Sequence, residues 1–126
     1  MTGTRITLDI SEIDLDTVHL WLSTDAYWAM GRSRETVEKA AQASLNFGVL
    51  DDENRLIGYA RVVTDEATFA WLCDVYIARS ARDSGAGTML ASAVVERLRP
   101  WGLKRVLLAT SDAHGLYEKV GFVTYP

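Results

Sequence analysis

Cysteine is almost missing from this 126-residue chain. Its single thiol, Cys73, excludes an internal disulfide framework and any multi-cysteine metal site. Two prolines and nine glycines are too few for a collagen-like or disordered chain. No apolar run approaches the roughly 20 residues of a membrane span, and the opening Met1–Ile6 lacks the apolar stretch of a secretory leader. Positive charge does not dominate either. Thirteen Lys and Arg against seventeen Asp and Glu leave a net charge of −4, which does not suit a nucleic-acid backbone as main partner. What remains is 48% hydrophobic and 24% charged, enough apolar material at this length for one packed core. These features predict one soluble, cytoplasmic domain over residues 1–126, bound neither to membrane nor to nucleic acid.

Periodicity orders the elements. Arg5–Asp9 alternates as a half-buried strand does. Leu15, Val18 and Leu22, widened by Trp21, then mark one helical face, and Ser33 is an N-cap for a second helix over Arg34–Ser44 with Val37, Ala41 and Leu45 inward. Three strands are predicted next, over Phe47–Leu50, Leu56–Thr64 and Phe69–Ile77, joined by polar turns as an antiparallel meander. An amphipathic helix carrying Leu90, Ala93, Val94 and Leu98 follows and stops at Pro100. A strand over Arg105–Ala109 implies a parallel crossover. Asp112 can cap a short helix reaching Lys119, Gly121 ends it, and Phe122–Tyr125 is a last short strand. The whole reads as a mixed α/β domain around one sheet.

The segment Arg82-Asp-Ser-Gly85-Ala-Gly87, between an apolar strand and a helix, carries the chemistry. Amide groups at a helix start have no internal partners and sit at the positive end of the dipole, and glycine lets a phosphate approach them. A flexible turn would need the same residues. Two common phosphate loops fail here: the third glycine of a dinucleotide fingerprint is replaced by Leu90, and Gly87 is followed by Thr88-Met89 rather than Lys-Ser/Thr.

Arg82-x-x-Gly85-x-Gly87 after Asp74-Val-Tyr-Ile77 resembles motif A of the GNAT (GCN5-related) N-acetyltransferases, and Leu116-Tyr-Glu-Lys-Val-Gly-Phe122 resembles that family's second signature. The resemblance implies a mostly antiparallel sheet whose central parallel pair splays around acyl-CoA, with helices on both faces. It implies acetyl-CoA as co-substrate, without a metal. Its pyrophosphate would lie on Arg82, Asp83, Ser84, Gly85, Ala86, Gly87 and Thr88, and its pantetheine arm along Val75, Tyr76 and Ile77. A bulge accompanies such a splay, but the sequence does not locate it. Three departures stand out. Asp83 replaces a glycine or basic residue, and is expected to turn away and cap the helix, with Ser84 as competitor. Thr110 replaces an Asn that touches the cofactor arm. The final strand is short, an edge that a second copy in a homodimer would cover.

Acetyl transfer to an amine needs a deprotonated nucleophile, a stabilised oxyanion and a protonated thiolate. The resemblance assigns the oxyanion to a main-chain N–H near Val75–Ile77 and makes Tyr117 the general acid; a core tyrosine is its alternative. Asp74 is the base candidate, since strict alternation sets Leu72, Asp74 and Tyr76 on one face and Trp71, Cys73, Val75 and Ile77 on the other. Its alternative is a structural carboxylate bonded to backbone or to Arg61, with ordered water as base. His114 suits proton shuttling or is simply solvated, and Cys73 reads as a small buried hydrophobe. Tyr27, Trp28 and Arg32 form either an acceptor wall for a small amine with apolar and anionic parts, or core packing, and Arg61 and His114 complete the candidate substrate-binding set. The leading expectation is transfer to a small-molecule amine in a ternary complex. Macromolecular acceptors, protein or charged tRNA, and a non-catalytic acyl-CoA sensor are the alternatives.

Overall fold

A computed structural model of the chain describes residues 3–109 and 113–123. Among these, strands β1 (Arg5–Thr7), β2 (Leu45–Leu50), β3 (Leu56–Thr64), β4 (Phe69–Ile77) and β5 (Arg105–Leu107) form one sheet in that order. Helices α1 (Leu15–Asp25) and α2 (Arg34–Gln42) lie between β1 and β2, α3 (Ala86–Leu98) crosses from β4 to β5, and α4 (His114–Glu118) follows. β1 to β4 pair antiparallel, and β4 and β5 pair in parallel. The expected mixed fold, with its meander and single parallel crossover, is what forms.

The caps explain where helices start. Asp14 accepts the amides of Asp16 and Thr17 at α1, and Ser33 accepts that of Thr36 at α2. Helix α3 ends at Leu98, and Pro100 falls in the 3-10 turn that follows. Alternation then divides the sheet into two faces. Phe47, Val49, Ala60, Val62, Ala70 and Leu72 pack under Leu90, Ala91, Val94 and Leu98 of α3. On the opposite face, Tyr59 and Tyr76 are covered by Val18, Leu22 and Val37 of α1 and α2.

Several boundaries differ from the sequence reading. The first strand stops at Thr7 because Asp9 caps a 3-10 turn over Ile10–Glu12. Helix α2 stops at Gln42, and Leu45 opens β2 instead of completing a helical face. Strand β5 ends at Leu107, two residues early, and α4 has Ala113 as N-cap. Asp112, Thr110 and Thr124–Tyr125 of the proposed last strand lie outside the described residues.

The larger difference concerns β4. Cys73 pairs with Arg61 and Tyr76 with Tyr59, so Asp74 and Val75 share the single opposite residue Ala60. This is a bulge, and within it Asp74 takes a left-handed φ of 54°. The extra residue resets the pleat. Leu72, Val75 and Ile77 all pack toward α3, whereas Tyr76 packs toward α1 and Asp74 bonds to the α1–α2 connection. Simple alternation, which grouped Leu72 with Asp74 and Tyr76, therefore fails at Asp74.

Candidate active site

The parallel ladder is short. It pairs Phe69 with Arg105, Ala70 with Val106 and Trp71 with Leu107, and no further pairing of β4 with β5 occurs among the described residues. From Leu72 to Ile77 the β5 side of β4 is therefore a main-chain edge left unpaired among the described residues, and the bulge sits within it. An extended amide-bearing chain can lie along such an edge as an added strand.

At the end of that edge lies the glycine loop. Gly85 is the N-cap of α3 with φ 90°, and no side chain caps the helix. A Cβ at Gly85 would meet nothing within 4 Å, so the glycine serves its left-handed backbone and leaves open space above the first turn. Asp83 does not cap, contrary to expectation. It is exposed with φ 63°, and Ser84 donates its hydroxyl back to the Ala81 carbonyl. The first amides of α3 thus keep their electropositive face free of side-chain acceptors. Gly87 has a different reason: a Cβ there would come 2.8 Å from Leu116 Cδ1, which packs α4 onto the loop.

Asp25, at the end of α1, organises the loop from the other side. It accepts from Arg79, from the Tyr76 hydroxyl and, at 3.5 Å, from Arg82. The Arg79 and Tyr76 hydrogen bonds hold its carboxyl down at about 2. Arg82 also donates to the Ile77 carbonyl at 3.0 Å and lies over the Tyr76 ring. Two guanidiniums thus face the one carboxylate of Asp25, while Asp83 adds an exposed carboxylate to the same loop.

The second half of the site is a polar cluster on the α1–α2 side of the bulge. Asp74 is only 5% exposed. Its carboxylate accepts from Trp28 Nε1 at 3.0 Å, Arg32 Nη1 at 2.7 Å and Arg61 Nε at 2.9 Å. Burial pushes its pKa up, but the hydrogen bond and charge of Arg32 and those of Arg61 outweigh it and hold the carboxyl below the usual carboxylate range. Arg61 reaches on to Ser44 Oγ at 3.1 Å. Next to it, buried Asn46 accepts from Tyr59 and donates to the Ala41 and Ser44 carbonyls. Burial raises the Cys73 thiol, so it is not an activated nucleophile.

These parts match a known arrangement. The family model of the Acetyltransferase (GNAT) family covers residues 15–122. The chain belongs to this family. A GNAT-family crystal structure from Xanthomonas campestris is 39% identical, superposes with a TM-score of 0.92, and is matched over 99% of this chain and 87% of its own. A Gibberella zeae protein assigned as an acetyltransferase is 27% identical over 133 aligned residues, 90% of this chain and 75% of its own. The Escherichia coli ribosomal-protein-S18-alanine N-acetyltransferase shares the fold at a TM-score of 0.77 and 19% identity, over 98% of this chain and 79% of its own. This GNAT protein is accordingly an acetyl-CoA-dependent acetyltransferase.

The site residues of this GNAT chain fall into three groups. Val75, Tyr76 and Ile77 line the open edge, with Arg82 to Thr88 at its end. Trp28, Arg32, Arg61 and Asp74 meet in one cluster, with Tyr27 edge-on to the Trp28 ring. Tyr117 is buried in the α3-side core, its ring edge-on to Phe122, one residue after the Leu116 that touches the loop. Thr110 lies outside the described residues, and so does the side chain of His114. Asp25 and Ser44 escaped the sequence reading, because nothing in their neighbourhoods marks them as partners of distant arginines.

Proposed function

We propose that this acetyltransferase moves the acetyl group of acetyl-CoA directly to the primary amine of a small acceptor that has an apolar body and an anionic group. One observation carries the reading. Arg32 and Arg61 bring two positive charges to the single carboxylate of Asp74, beside the exposed rings of Tyr27 and Trp28. The residual charge attracts an anion, and the rings offer an apolar wall. The open, uncapped start of α3 fits a diphosphate, and the bare edge of β4 fits the amide-bearing arm attached to it.

Each step then has a candidate group. Acetyl-CoA supplies the activated thioester. The peptide amides of Val75–Ile77 receive the charge that develops on the acetyl oxygen. Tyr117 returns a proton from its phenol to the departing sulfur, which leaves as the thiol. Asp74 is an unsuitable base, since two guanidiniums and an indole occupy its oxygens, and the amine loses its proton to water instead. No helix among the described residues is long and apolar enough to cross a membrane.

The test is calorimetry with acetyl-CoA, CoA, NAD and ATP, followed by thiol release over paired amines with and without a carboxylate. Selective binding of the two CoA species is expected, with kcat/KM at least tenfold higher for the carboxylated member of each pair. Preference for the neutral member, or for a polypeptide amine, overturns the acceptor assignment.

A further inference from the structure

We infer that Asp74 is a positioning residue: a latch that ties the bulge of β4 to the acceptor-side loop, so that the acetyl site and the acceptor wall are held by one carboxylate. The inference concerns this chain's own residues and deepens the proposed reaction, on which its kinetic arm rests.

Three observations converge on the carboxylate. First, it sits where the β3–β4 register shifts, on a left-handed backbone of φ 54°. Second, the donors come from two distant places: Trp28 and Arg32 from the connection between α1 and α2, and Arg61 from β3. Asp74 Oδ1 takes the indole and Oδ2 takes both guanidiniums, so loop and strand share one acceptor group. Third, Arg61 continues to Ser44 just before β2, and Asn46 fixes that corner to the end of α2. The bulge is thus braced by side chains against the element that presents Tyr27 and Trp28. In a low-dielectric site such a network has one good arrangement and few near it.

A general base at this place would need a free lone pair aimed at the amine and a pKa lifted toward neutrality. The latch predicts the reverse: a carboxylate already bonded, whose removal misplaces other atoms. Misplacement of about 1 Å at a reacting centre costs on the order of a hundredfold in rate.

Two conservative variants separate the cases. Asp74→Asn keeps the shape and tolerates positive φ, while Trp28→Phe removes only the indole N–H. Thiol release from acetyl-CoA with no added amine reads the bulge without an acceptor. It is expected to fall about a hundredfold in Asp74→Asn, less in Trp28→Phe, and no further in the double variant. Amide hydrogen exchange gives a readout independent of activity. Trp28→Phe is expected to speed exchange roughly tenfold both at Val75 and Tyr76 and at Ala29–Arg32, although these segments are far apart in sequence. Faster exchange in only one of the two segments overturns the latch, as do additive losses in the double variant. Loss of the acidic limb of the pH–rate profile in Asp74→Asn would make the residue a base, with Arg32, Arg61, Cys73 and Tyr59 as the groups facing it. Should Asp74→Asn not fold, unchanged exchange in Trp28→Phe still overturns the latch. Coupled exchange without acetyl transfer to any amine would leave the latch standing and refute the small-amine reading.

Discussion

Asp74 in the bulge of β4 and Asp83 in the loop before α3 both hold left-handed backbones, with φ of 54° and 63°. Their surroundings are opposite. Asp74 is buried and receives three donors, so its conformation is enforced by side chains. Asp83 is exposed on a loop whose next residues leave the helix start uncapped. One turn is held rigid by what it binds internally; the other keeps its amides available for something external. The same residue in the same conformation therefore marks a structural lock in one region and a vacancy of acceptors in the other. The difference lies in the partners, which composition and spacing do not display.

The contrast can be broken most forcefully at the lock. Asp74→Leu would leave Arg32 and Arg61 without their shared carboxylate, and should cost about 3–5 kcal/mol in denaturant unfolding. Asp83→Leu should change stability by no more than about 0.5 kcal/mol. Equal losses would erase the distinction. Next in size, Tyr117→Phe should lower kcat about a hundredfold while the ring stays edge-on to Phe122. Unchanged turnover would return Tyr117 to a purely packing role. Gly85→Val forces a β-branched residue to φ 90° and should cost about 1–3 kcal/mol, with acetyl-CoA affinity in calorimetry reduced roughly tenfold. Gly87→Ala should cost less, about 1 kcal/mol, because only the flexible end of Leu116 must yield.

Acid sharpens the same comparison. The folded-state pKa of Asp74 is depressed below its unfolded value near ~3.9, so its contribution is fully present above that value. It is withdrawn as pH falls through the lower, folded value. Unfolding followed from pH 7 to pH 2 should show an acid loss that is smaller in Asp74→Asn, where depressed carboxyls such as Asp25 remain.

Much of the fold was legible in the sequence. The limits of β3 and β4 follow from apolar runs between polar turns, and Ser33 marks the start of α2 by its cap. The glycine loop was legible too, because its backbone demand is local. The bulge was not. A bulge adds one residue to a strand without changing its composition, so alternation across Asp74 put Leu72 on the face of Asp74 and Tyr76, which it does not share. The cap at α3 was misread for a related reason. Asp83 and Ser84 are both good cap residues, but the left-handed Gly85 takes the position itself. Asp25 and Ser44 were invisible because their partners lie in other elements.

The three-residue parallel ladder has a further meaning for how the sheet could grow. Among the described residues, Leu72–Ile77 has no strand pair on its β5 side, so an extended guest laid there would break no existing ladder to gain one.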